Sequence, residues 1–148
     1  MEISFGGMHL LLPYGLFTNC QKIAIRMITN TPRRKSSQTQ SKILRILRLP
    51  EIYIYSNLIF MYKYTNNMMP PSLQNLFQKN NAIHNHNTRG ASKLRIPRIR
   101  TLIAEQFITY TGVKLWNSIT AKIDPTLKIS NFKQKLITYL IEDYQDNA

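Results

Sequence analysis

The sequence predicts a mainly α-helical fold with one small β-hairpin, α+β in the loose sense, around a modest core. Three observations lead there. Apolar residues recur at helical spacing along most of the chain. Two short runs, Leu94–Arg100 and Phe107–Tyr110, have the alternation or the β-branched and aromatic content of strands. The chain has 148 residues and a hydrophobic fraction of 43%, enough for one domain and one core. The expected organisation is a poorly defined, flexible lead-in at 1–19, a single segment at 20–144 and a tail at 145–148.

Each element has a local reason. From Gln21, Ile23, Ala24, Met27 and Ile28 share a helix face, and Asn30, Thr31 and Pro32 stop it. Residues 31–41 are polar, basic and turn-rich, so they predict a mobile loop. A second helix is expected from about Ser41, with Ile43, Leu44 and Leu47 on its apolar side and Lys42, Arg45 and Arg48 at steps of three on a flank. Pro50 and Glu51 suit the first turn of a third helix, where a missing N–H costs nothing and an acid meets the positive end of the dipole. That helix, to about Tyr64, is apolar nearly all round and must be buried on most sides or docked on a partner. Its tyrosines 53, 55, 62 and 64 are read as core and interface residues rather than base-stacking ones.

Asn66, Asn67 and Pro70-Pro71 end that helix. In the predicted hairpin, Pro97 confines the Leu94–Arg100 strand to an edge. A short helix then carries Val113, Leu115, Trp116 and Ile119. Asp124-Pro125 is a turn. Ser130 is the expected cap of a last helix bearing Phe132, Leu136, Ile137, Leu140 and Ile141.

Charge narrows the function. The formal net charge is +13 and the pI about 10.1. Residues 22–100 hold 15 Lys and Arg against the single acid Glu51, whereas residues 101–148 are balanced at five of each sign. Such a surface attracts polyanions, with RNA or DNA the expected partner. Neither apolar run, Met8–Phe17 or Ile52–Tyr62, is long enough to span a bilayer, so no membrane partner is expected. Cys20 is the only cysteine, which rules out an internal disulfide and fits an intracellular, reducing setting.

Several chemistries lack their residues. His84, His86 and Cys20 fall short of the four ligands of a structural zinc site. No base accompanies Cys20 as a nucleophile. No Asp-Asp or Asp-x-Asp pair could clamp the two metals of phosphoryl transfer, and Glu142, Asp143 and Asp146 sit at a predicted fraying end. No glycine-rich loop could cradle a phosphate. The expectation is no enzyme activity, no catalytic residue, no metal and no cofactor. A hydrolase would need Glu105, Asp124 and His84 to converge.

The remaining feature is the polar knot of Asn85, Asn87, Thr88 and Arg89, followed by Lys93, Arg95, Arg98 and Arg100. As a set these cations suit phosphate contact. For Arg89 alone two readings stay open, phosphate contact or a buried tether to loop carbonyls.

Six short words, in order, resemble the C-terminal tail of reverse transcriptases from non-LTR (LINE-type) retrotransposons. They are Cys20–Ile28, Ile43–Leu49, Phe60–Tyr64 with Met69-Pro70-Pro71, Ile83–Arg89, Gly112–Asn117 and Phe132–Leu136. Tyr14-Gly15 stands where the family often has Trp-Gly, and Ser118-Ile119-Thr120 replaces the usual Leu-Pro. The resemblance spans about residues 14–144. It implies a truncated accessory segment of an RNA-directed DNA polymerase, inactive alone, whose catalytic domains lie elsewhere. The residues expected to meet nucleic acid are Lys42, Arg45, Arg48, Arg89, Lys93, Arg95, Arg98 and Arg100. Trp116, Asn117 and Phe132 are expected to be structural. The alternative expectation is an interaction module that docks its 52–64 helix on a polymerase domain, or self-associates.

Overall fold

The fold is taken from a computed structural model that describes residues 13–82 and 90–142. The first part of the expected lead-in, the knot from Ile83 to Arg89 with His84, and the tail with Asp143 and Asp146 lie outside the described residues. Among the described residues the protein is mainly helical: α1 (Pro13–Ile28), α2 (Ser37–Ile43), α3 (Leu49–Thr65), α4 (Leu102–Glu105), α5 (Thr111–Ile119) and α6 (Ile129–Glu142). They divide into two compact units. One runs up to Pro50 and takes in the chain from Ile141; the other is Glu51–Leu140.

In the first unit, α1 begins at Pro13, well before Gln21, because proline's fixed φ and missing N–H suit an opening turn. Ile25 is buried on its inner side. The Gln21 side chain spans the approach to α3: its Nε2 donates to the Leu47 carbonyl at 2.9 Å, and its Oε1 accepts from the Leu49 N–H at 3.0 Å. The predicted mobile loop is in part helix α2, since the Ser36 hydroxyl accepts from the Gln38 N–H and caps it. Ser37 and Ser41 are buried, and the Ser41 hydroxyl donates to the Ser37 carbonyl at 2.8 Å.

The first three helices end in one pattern. After α1, α2 and α3 the chain turns through a left-handed residue: Asn30 (φ 48°), Arg45 (φ 52°) and Asn67 (φ 55°). Each time two hydrogen bonds close the end: Thr31 N–H to Arg26 and Asn30 N–H to Met27, Ile46 to Ser41 and Arg45 to Lys42, Met68 to Lys63 and Asn67 to Tyr64. These are Schellman caps, which satisfy carbonyls the helix itself cannot. Asparagine tolerates the left-handed region; arginine does so at a cost.

The second unit is built on α3. Ile54, Leu58, Met61 and Tyr62 are buried, and so is Asn57. Tyr62 stacks on Phe132 of α6 with ring centroids 4.5 Å apart, and Trp116 of α5 lies 6.1 Å from the same ring. Val113, Ile119, Ile123, Leu136 and Leu140 complete this core. A Cβ on Gly112 would sit 2.8 Å from Ile108 Cγ1 and 3.3 Å from Met61 Sδ, so α5 starts where only glycine fits without a shift. The tyrosines pack and tie the chain: the hydroxyls of Tyr62, Tyr53 and Tyr64 donate to the carbonyls of Leu127, Gln106 and Gln74.

Two expectations are corrected. No strand occurs among the described residues, so the hairpin is absent there. Leu94 joins Lys79 in an isolated antiparallel bridge, and the chain onward to Arg100 is irregular, since Pro97 has no N–H to give a ladder. Phe107–Tyr110 forms turns instead, its carbonyls at Phe107 and Ile108 accepting the N–H groups of Thr111 and Gly112 as the chain winds into α5. Packing of α5 overrides the local β preference. The last helix starts at Ile129, so Ser130 lies inside its first turn and is not its cap.

Candidate nucleic-acid interface

The basic segment is held by two asparagines. Asn117 of α5 donates its Nδ2 to the Leu94 carbonyl at 2.8 Å and accepts the Leu94 N–H on Oδ1 at 3.2 Å. On the other side, the Asn80 N–H donates to the Lys93 carbonyl at 3.1 Å and its Nδ2 to the Gly90 carbonyl at 2.9 Å. The Arg95 N–H reaches the Gln78 carbonyl at 2.8 Å. Residues 90–95 are therefore fixed by their backbone rather than by their charged side chains.

That fixing sorts the side chains. Ala91 and Leu94 are buried, whereas Ser92, Lys93 and Arg95 are exposed. Further on, Arg98 and Arg100 are exposed as well. No acidic residue occurs from Gly90 to Thr101. Four cations thus face solvent on a segment that spans at most ~25 Å. Their mutual repulsion is relieved by a polyanion, and arginine's planar fork suits phosphate oxygens. Arg89, which completed the expected set, lies outside the described residues.

The other expected cations do not form a stripe. Helix α2 ends at Ile43, so only Lys42 of that group is helical; Arg45 sits at the left-handed cap residue and Arg48 in the connection to α3. Arg45 is exposed, while Lys42 and Arg48 are half-buried and make contacts of their own. The sequence places the start of this helix at about Ser41; the Ser36 cap sets it earlier, and the Schellman turn ends the helix at Ile43.

In comparisons with protein-family models, curated proteins and solved structures, nothing matches this chain.

Trp116 and Phe132 are buried, and Asn117 is the clamp just described. Sequence reasoning missed what Asn80 and Gln21 do. Their only signal is an amide side chain, for Gln21 within a helix and for Asn80 beside a turn, which is too common to single out. No group of three or more His, Cys, Asp or Glu side chains able to hold a metal occurs among the described residues. Helix α3, apolar nearly all round, is covered within its unit at Ile54, Leu58, Met61 and Tyr62. No described helix is long and apolar enough to cross a membrane.

Proposed function

We propose that this chain is a nucleic-acid-binding accessory segment, similar to the tail of a non-LTR retrotransposon reverse transcriptase, that grips RNA or DNA phosphates without reading sequence. Its partner in this reading is a polymerase domain that supplies the chemistry. One observation carries the proposal: Lys93, Arg95, Arg98 and Arg100 are all exposed on an acid-free segment whose first part, residues 90–95, is pinned by Asn80 and Asn117. A backbone already fixed at Lys93 and Arg95 has little left to lose there on binding, so only side-chain freedom offsets those phosphate contacts.

Salt dependence tests it. Four phosphate contacts give a slope of log K against log salt of about −3.6 on duplex DNA and about −2.8 on single strands. Replacing Arg95, Arg98 and Arg100 together by alanine should bring either slope to about −1. Absence of binding at low salt, or a slope that ignores the triple variant, refutes the proposal.

A second reading has its own observation. Leu16, Cys20, Ile23 and Met27 follow at steps of four, three and four along α1, and all are exposed. This is the spacing of a coiled-coil seam. Phe17, Asn19 and Ala24 beside it carry no charge, and the flanking cation Arg26 donates its Nε to the Lys35 carbonyl. Self-association through α1 should vanish in Met27→Glu, as read by light scattering; a monomer at high concentration excludes it.

A further inference from the structure

The end of α3, the bridge between Lys79 and Leu94, and the end of α5 with the turn after it line a cleft of about 700 Å³. It lies wholly within the Glu51–Leu140 unit. Its size falls in the roughly 300–1,000 Å³ range of small-ligand sites. Among the described residues, Lys79 and Lys93 are its only fully charged lining residues, and no carboxylate lines it. Asp124, next along from the lining Pro125, holds the N–H and hydroxyl of Thr126 on its Oδ1.

Two helix C-termini also reach the cleft, and each carries about half a negative charge. They do not cancel the lysines. The α3 carbonyls of Lys63 and Tyr64 are taken by the Met68 and Asn67 N–H groups, and the Trp116 carbonyl by Thr120. Two full positive charges against at most two half charges leave the cleft positive, by about one unit. An anionic group is the ligand this field selects.

Lys93 belongs both to this cleft and to the exposed basic segment. A strand lying along Arg100, Arg98 and Arg95 would arrive at the cleft mouth with its next phosphate. We propose that the cleft takes one unpaired nucleotide of a single-stranded nucleic acid. Lys79 and Lys93 hold its phosphate. The amides of Asn67 and Gln74 and the hydroxyl of Thr126, which also line the cleft, offer partners to the base. A paired base would first have to leave its stack, at a cost, so the cleft favours single strands over duplex. The inference rests on the phosphate-gripping role of the 93–100 segment for its longer ligands, but the cleft itself can be probed alone.

Trp116 is the only tryptophan of the chain and lines the cleft, so its fluorescence reports occupancy. Adenosine monophosphate at millimolar concentration should change Trp116 emission in the full chain, and should do so equally when Arg95, Arg98 and Arg100 are alanine. Lys79→Glu should abolish that change. The same substitution should weaken an eight-nucleotide single strand about ten-fold while altering duplex affinity less than two-fold. An emission change reproduced by inorganic phosphate alone, or an equal loss on single strand and duplex, overturns the nucleotide assignment. Adenosine monophosphate leaving Trp116 unchanged overturns it too, whatever the salt slope of the longer ligands. A flat salt slope with intact nucleotide-dependent emission would instead remove the backbone-gripping role and leave the cleft.

Discussion

The Asn117 side-chain amide engages the Leu94 peptide as a neighbouring strand would, donating at 2.8 Å and accepting at 3.2 Å across 23 residues of sequence. One side chain thereby supplies the pairing that a hairpin partner was expected to give. Asn117→Leu removes both bonds and leaves the Leu94 peptide beside an apolar group. The expected loss is about 2 kcal/mol of unfolding free energy, seen as a lower urea midpoint at unchanged m value. A loss under half of that would mean water replaces the amide.

Close packing at the start of α5 gives a second prediction. Gly112→Ala places a methyl 2.8 Å from Ile108 Cγ1 and 3.3 Å from Met61 Sδ. Overpacking of this kind costs about 1–3 kcal/mol. Pairing it with Met61→Ala should cost less than the two single changes added together, because the shortened side chain removes one of the two close contacts. Simple additivity in thermal unfolding would show that Met61 is not what Gly112 yields to.

Arg45 provides a third. It occupies the left-handed cap position that Asn30 and Asn67 fill after the other two helices. Arg45→Gly should raise stability by about 1 kcal/mol and Arg45→Ile lower it, since a branched Cβ meets the following carbonyl. Denaturant unfolding of the two variants decides it; equal effects would place the origin in charge rather than backbone.

The Asp124 turn is sensitive to acid. Its carboxyl is held below the usual carboxylate value first by the Thr126 N–H, then by the Thr126 hydroxyl, with the Lys135 charge adding to both. A lowered value in the folded chain means that the turn's contribution is complete above the ordinary value of about 3.9. It is lost as pH falls through the lowered midpoint. An NMR titration of the Asp124 carboxyl should find that midpoint, and Thr126→Val should move it partway back, because the backbone N–H remains. A midpoint unmoved by Thr126→Val would remove the hydroxyl from the account.

Some of this structure is legible in the residues themselves. The spacing of Phe132, Leu136 and Leu140 marks a buried face that the structure contains, whereas the nearly all-round apolar α3 does not show which of its residues, Ile54, Leu58, Met61 and Tyr62, are buried. Asn30 and Asn67 mark helix ends because asparagine accepts a left-handed backbone. Arg45 carries no such mark, so the end of α2 is invisible in sequence. Nor could Phe107–Tyr110 declare itself a turn: its β preference is real, but weaker than burial of α5 against Met61.

The chain's own residues determined its charge, the concentration of that charge before residue 101, the nearly all-round apolar character of α3 and the helical periods of α5 and α6, because these follow from residue type and short-range spacing. Tertiary structure alone decided which cations stand exposed together. Lys42, Arg45 and Arg48 are separated by a helix end, whereas Lys93, Arg95, Arg98 and Arg100 stand exposed on a segment pinned at Gly90 and Leu94 by amides 10 and 23 residues away. Hydrogen bonds at that range depend on where helices pack, and no local pattern encodes it.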